Sequence, residues 1–117
     1  MDENEIRQLF ESKEDALNAL SQSRKKIDEI DNDLVDLIYE RTMLARDVLY
    51  SKLFLGMEIY DKSREDTIHA KTVEMAIEKG IDSDILSEIM NMLTILNKNK
   101  QKEILEEWLW EILEPHL

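Results

Sequence analysis

The longest helical pattern of the chain reads SRKKIDEIDNDLVDLIYERTMLARDVLYSKLFL, from Ser23 to Leu55. Its apolar residues recur with spacings of three and four, which places them on one stripe of a long helix facing a partner. The residues of this stripe are Ile27, Ile30, Leu34, Leu37, Leu44 and Val48. Arg41 stands where the apolar residue after Leu37 is due. A guanidinium in an apolar seam is costly unless an anion meets it there, so Arg41 is either half of a buried ion pair or a ligand group.

Two further cations of this stretch bear on where such an anion can bind. Lys52 follows Arg41 by 11 residues, close to three helical turns, so both lie on nearly the same side, about 16 Å apart along the axis. Their long side chains can lean toward one small anion. Arg24 precedes Arg41 by 17 residues, about 26 Å along the axis and about 100° around it. If Arg24 serves such a site, we expect the site to be completed by another chain.

Composition indicates an all-α protein. The 117 residues include only 2 Gly, 1 Pro and no Cys, and 43% apolar with 36% charged residues is the mixture typical of amphipathic helices. We expect a single domain over residues 1–117, with neither a signal peptide nor a membrane span, located in the cytoplasm. The formal net charge of -12 disfavours nucleic acid and anionic membranes as partners.

Three helices, long, short and long, are predicted. Their limits are about Asp2 or Ser21 to Leu55, Asp61 or Ser63 to Lys79, and Asp82 or Ser83 to Pro115. Gly56 and Gly80 mark the ends of the first two, because glycine readily adopts the left-handed conformation that closes a helix. Asp and Ser are the residues that cap helix N-termini, which gives the starts of the second and third.

Polar residues interrupt the apolar faces of the second and third helices. Asp61, Arg64 and Glu65 have spacings of three and four and share the first turn of the second helix. Asn97 and Gln101, four residues apart, displace apolar residues from the stripe of the third helix. Taken singly, each has a structural explanation: an N-cap, a surface ion pair, or solvated positions.

Taken together, the order and spacing of these groups resemble the all-helical class of chorismate mutases. The matching segments are Ser23–Asp31 (SRKKIDEID), Glu40–Val48 (ERTMLARDV), Lys52, Asp61–Glu65 (DKSRE) and Asn97–Gln101 (N-x-x-x-Q). The resemblance covers about residues 21–102 and is distributed over three helices, which makes it specific. It implies an interlocked six-helix homodimer with two active sites, each of which takes one arginine from the partner chain. Arg24 matches that arginine.

The resemblance also implies an activity. This is the conversion of chorismate to prephenate, a Claisen rearrangement in phenylalanine and tyrosine biosynthesis that uses no cofactor and no metal. Arg24 of one chain and the catalytic Arg41 of the other would hold the two carboxylates of the substrate in its folded, diaxial shape. Asn97 matches a position that helps to hold one carboxylate.

Five further residues match the remaining positions of the family's site. Lys52 and Gln101 would be catalytic, donating hydrogen bonds to the ether oxygen on which negative charge grows. Glu65, with the backbone near Asp61, would accept the ring hydroxyl, and Arg64 would support the charge network. Conformational restriction and fixed electrostatics are sufficient for such a one-step isomerisation.

Two other functions are open. One is an isochorismate pyruvate-lyase of the same fold, and the other is a non-catalytic helical dimer or adaptor. The complete match at Glu65, Asn97 and Gln101 favours the mutase, and an adaptor is expected to lose the charges of the seam. His69 and His116 have no partner at metal-ligand spacing, so no metal site is expected.

Some residues stay outside the resemblance. Residues 1–20 and 104–117 are expected to be helical extensions of the core. Lys98, Lys100 and Lys102 form a basic cluster that we interpret as a solvated helix face, because the net charge makes a nucleic-acid surface improbable.

Overall fold

A computed structural model describes residues 1–113 of the chain. They form α1 (Glu3–Arg7), α2 (Lys13–Met43), α3 (Ala45–Leu55), α4 (Lys62–Lys79) and α5 (Ser83–Leu113). No strand occurs in this range, so the all-α prediction is confirmed. The predicted stop at Pro115 and the interpretation of His116 lie outside the described residues. None of the helices formed by residues 1–113 is long and apolar enough to cross a membrane.

The chain divides into two compact units, Met1–Leu37 and Ile38–Leu117. In the first unit, Asp2 caps α1 by accepting a hydrogen bond from the backbone N–H of Glu5 at 2.8 Å. The chain leaves the helix and restarts at Lys13, where the Ser12 hydroxyl accepts from the N–H of Asp15. The restart therefore comes earlier than the expected Ser21, because Ser12 supplies an N-cap.

The predicted first helix is interrupted at a single residue, Leu44, between α2 and α3. The Leu44 N–H still donates to the Glu40 carbonyl at 3.3 Å, and the Val48 N–H donates to the Leu44 carbonyl at 3.1 Å. Just before the break, the Thr42 hydroxyl donates to the Ile38 carbonyl at 2.7 Å. Such bonds to the preceding turn bend a helix without ending it, and the helical path continues through Leu44.

The other helix ends follow the predicted signals. Gly56 and Gly80 have φ of 69° and 71° and close α3 and α4. The Asp61 carboxylate accepts from the backbone N–H of Arg64 at 3.0 Å, so Asp61 rather than Ser63 caps α4. Asp82 caps α5 in the same way, through the N–H of Ile85.

In the second unit, α3 and α4 both pack against α5. The buried side chains at these contacts are small or medium-sized: Ala45, Leu49, Thr72, Ala76, Thr94 and Gln101. Thr72 and Thr94 satisfy their hydroxyls on carbonyls of the preceding turn. Small residues let the helices approach closely. The polar residues of α5 face the space that the three helices enclose.

Candidate active site

A cavity of about 360 Å³ lies within the second unit, between the end of α2, α3, α4 and α5. Its walls are formed by Arg41, Leu44, Val48, Lys52, Ile59, Asp61, Arg64, Glu65, Ile68, Thr94, Asn97, Lys98 and Gln101. The volume is that of a small-molecule site. The structure thus brings together every predicted site residue except Arg24.

Arg41 enters the cavity from the last turn of α2 and is half-buried. Its Nη1 donates to the Leu93 carbonyl of α5 at 2.9 Å. Burial lowers the pKa of Arg41, and the nearby charge of Arg64 lowers it further. The guanidinium stays charged at neutral pH, because an arginine pKa lies far above 7. Arg41 is therefore a partly desolvated cation whose hydrogen-bond partner is a neutral oxygen.

Lys52 occupies the last turn of α3 and points its ammonium group into the same cavity. Its Nζ donates to the Ile59 carbonyl at 2.6 Å and to Gln101 Oε1 at 3.3 Å. An ammonium has three hydrogens, so these two bonds leave one donor for a ligand. The loop carbonyl and the α5 amide fix where this donor lies.

Gln101 is 2% exposed and lies at the centre of a polar chain. Its Nε2 donates to Asn97 Oδ1 at 2.7 Å, and Asn97 Nδ2 donates to the Arg41 carbonyl at 3.2 Å. Because Lys52 can only donate, the amide oxygen of Gln101 must face it, and this fixes the amide orientation. The second hydrogen on Nε2 remains available beside the Lys52 ammonium.

The opposite wall is the first turn of α4. Asp61 and Glu65 are half-buried there, and Arg64 is exposed but still lines the cavity. Glu65 forms an ion pair with Lys98 of α5, with Nζ to Oε2 at 3.1 Å. The helix cap uses the Oδ1 atom of Asp61. The second carboxylate oxygen and the backbone of Asp61 can serve a ligand.

The charge of the walls is unbalanced. Four of the lining side chains are cationic and two are acidic, which gives the cavity a net charge of +2. The whole chain carries -12. A positive cavity in an acidic protein concentrates anions at that point. Within residues 1–113, no group of three or more His, Asp or Glu side chains is placed to hold a metal ion.

Comparison with known proteins identifies the family of the chain. Residues 23–108 match the family described as chorismate mutase type II. The chain belongs to this family. A chorismate mutase of Methanocaldococcus jannaschii is 42% identical over 91 residues, covering 78% of this chain and 92% of that protein. No solved structure gives a significant match. The resemblance to chorismate mutases inferred from the sequence is confirmed.

Arg24 is the one predicted site residue of this chorismate mutase family member that does not line the cavity. It lies on α2 within the first unit and is exposed. That Arg24 completes the site of a partner chain stays a prediction.

Lys98 is a cavity residue whose place was not predicted from the sequence. Interpreted as part of a solvated face, it lines the cavity and pairs with Glu65. Its position three residues before Gln101 was the available signal, because residues three apart share a helix face. The interpretation of Lys98 as part of a solvated helix face was wrong.

Proposed function

We propose that the protein is a chorismate mutase that converts chorismate to prephenate without a cofactor, in phenylalanine and tyrosine biosynthesis. The observation that carries the proposal is a pair of cations, Arg41 and Lys52, that line one cavity. Both donate their hydrogen bonds to neutral oxygens of the protein. A dianionic substrate supplies the negative charge that the +2 cavity attracts.

Substrate binding fixes the reactive shape. Arg41 and Asn97 would receive one carboxylate of chorismate, and Arg24 of the partner chain would receive the other. Held at both ends, the enolpyruvyl side chain lies over the ring, which removes the conformational freedom that slows the reaction in water. No proton transfer and no covalent intermediate is needed for this rearrangement.

The Lys52–Gln101 pair would stabilise the transition state. Each has one donor hydrogen that the protein does not use, and the two groups are 3.3 Å apart between Nζ and Oε1. Both donors can therefore converge on one ether oxygen as its C–O bond breaks and negative charge develops. The surrounding polar chain holds the donors in place before the substrate arrives, so little reorganisation is needed.

The α4 wall would bind the ring. Glu65 accepts the ring hydroxyl, the backbone near Asp61 adds a contact, and Arg64 contributes positive charge. These assignments follow the family positions and are supported by the placement of all three residues on the cavity wall.

A six-helix homodimer is the proposed assembly, with two sites that each contain one Arg24 from the partner. Support comes from the apolar stripe, whose large side chains are exposed in the single chain: Leu34 50%, Leu37 60% and Leu44 57%. Large apolar side chains exposed along one helical stripe are typical of an interaction site. We also propose a cytoplasmic location, with which the cysteine-free composition is compatible.

One assay tests the activity against its alternatives. The protein is incubated separately with chorismate and with isochorismate, and the products are separated by chromatography. We expect prephenate from chorismate. Salicylate with pyruvate from isochorismate alone would establish the lyase instead, and no product from either substrate would establish a non-catalytic protein.

A further inference from the structure

Lys98 is built into the active-site wall rather than into the solvated surface. Its side chain is only 25% exposed, and so is the side chain of Glu65, its partner. The exposed pair Lys62–Asp66 elsewhere on α4 has side chains that are 72% and 66% exposed. The Lys98–Glu65 pair joins two helices across the cavity, whereas Lys62–Asp66 joins neighbouring turns of one helix.

The Lys98 ammonium is held from two sides. It contacts both oxygens of Glu65, at 3.1 Å and 3.3 Å, and lies 5.3 Å from the centre of the Tyr60 ring. A cation over a tyrosine face is attracted by the ring's negative face. Tyr60 belongs to the loop whose neighbouring Ile59 carbonyl holds Lys52. The position of Lys98 is thus fixed by α4 and by this loop.

This geometry determines what Glu65 can do. An ammonium within reach of both carboxylate oxygens occupies the edge between them and leaves an outer lone pair on each oxygen. A free carboxylate could instead rotate toward Arg64 or Arg41 and neutralise cations that the substrate needs. The ion pair holds Glu65 on its own wall, with acceptor capacity remaining for a hydroxyl.

We propose that Lys98 is a positioning residue, which holds the Glu65 carboxylate in the orientation that accepts the ring hydroxyl of the substrate. This role rests on the proposed chorismate mutase function. Lys98 acts through Glu65 and not by touching the reacting atoms. The positioning effect of Lys98 therefore requires both Glu65 and the ring hydroxyl.

A double-mutant cycle tests this role. Steady-state kcat and KM for chorismate are measured for the parent, Lys98→Met, Glu65→Gln and the double variant, with Lys102→Met as the matched control on the exposed side of α5. We expect Lys98→Met to lower kcat/KM about tenfold, the low end for a charge-assisted contact. In the Glu65→Gln background the same change should cost less than about twofold, and Lys102→Met should match the parent.

A second measurement uses a chorismate analogue that lacks the ring hydroxyl, and it shows whether the effect passes through that group. At saturating concentrations of this analogue, Lys98→Met should have the same kcat as the parent. Should Lys98→Met fail to fold by circular dichroism, Lys98→Gln replaces it in the same cycle. Equal losses in both backgrounds, a loss that persists with the analogue, or no loss at all would overturn the role of Lys98. A parent protein that leaves chorismate unchanged would instead overturn the proposed function, and this role with it.

Discussion

Replacing Gln101 by glutamate changes one NH₂ group to oxygen at the place where we expect transition-state charge to develop. The replaced Nε2 donates to Asn97 Oδ1 at 2.7 Å, and the retained Oε1 accepts from Lys52 at 3.3 Å. A neutral carboxylic acid reproduces the acceptor and has one donor hydrogen. An ionised carboxylate has none and repels the developing negative charge.

Three effects determine the protonation of the introduced acid: one favours the ionised form and two favour the neutral form. The Lys52 ammonium at 3.3 Å favours the ionised form, by about 5 kcal/mol at an effective dielectric constant of about 20. Burial of a residue that is 2% exposed opposes ionisation, by several kcal/mol. The Asn97 oxygen requires a proton on the acid, since two acceptors cannot face each other at 2.7 Å. Because the first two effects nearly cancel, we expect the acid to titrate above the ordinary glutamate pKa of about 4.3.

The assay is the initial rate of chorismate loss from about pH 4 to about pH 9. The parent should vary little between about pH 5 and 9, which lies between ordinary carboxylate and lysine titration. The Gln101→Glu variant should be most active at low pH, although below the parent, because its single hydrogen cannot serve both Asn97 and the ether oxygen. It should lose at least about 100-fold once ionised, as when an oxyanion donor is removed. Asn99→Asp, the same change at an exposed site of α5, should follow the parent. A Gln101→Glu profile as flat as the parent's would refute the role of this amide.

Three other predictions concern assembly, charge and backbone. We expect Arg24→Ala and Arg41→Ala to be inactive alone. When the two variants are mixed and exchange chains, activity should return, because each heterodimer contains one intact site. No recovery would mean that each site is built within one chain. Burial lowers the pKa of Arg41, so its charge costs stability at every pH below that pKa, and the cost declines only as pH rises from that pKa toward the unfolded-state value. Arg41→Ala should therefore lower the free energy of unfolding by only about 1 kcal/mol, because it loses one hydrogen bond to a carbonyl. Its kcat/KM should fall at least about 100-fold. If Arg41→Ala unfolds while the control Lys25→Ala stays folded, Arg41 is a structural residue. Gly80→Ala should lower the free energy of unfolding, measured in urea, by about 1–2 kcal/mol. The cause is left-handed backbone strain alone, because φ is +71° and an added Cβ meets nothing within 4 Å. The control Glu78→Ala should leave the free energy of unfolding almost unchanged.

The helix ends were predictable because their causes are local. Asp61 reaches the N–H of Arg64 within one turn, and the two glycines take positive φ at the ends of α3 and α4. The restart at Lys13 depends on Ser12, a cap whose signal was present but unused. The interruption at Leu44 was not predictable, because no Gly or Pro lies between Lys13 and Leu55 and the backbone bonds of Leu44 on both sides are kept.

The candidate site was predictable as a set of residues and not as a network. Spacing alone placed Arg41 and Lys52 on one side of a helix, and both line the cavity. That Arg41 donates to the Leu93 carbonyl depends on how α5 packs, which no short-range pattern contains. The Lys98–Glu65 ion pair was not predictable for the same reason, because Glu65 lies 33 residues away on another helix, although the spacing to Gln101 already placed Lys98 on the cavity face.

The most direct measurement of the central claim is the turnover of chorismate by the parent and by Lys52→Met. Methionine keeps an unbranched side chain and removes the ammonium, so the cavity walls are preserved while one of the two ether-oxygen donors is lost. The exposed Lys62→Met change is the matched control. We predict conversion to prephenate by the parent and the control, and a kcat lower by about 100- to 1,000-fold in Lys52→Met, with an unchanged helical circular dichroism spectrum. A folded Lys52→Met variant that forms prephenate at the parental rate would contradict the account.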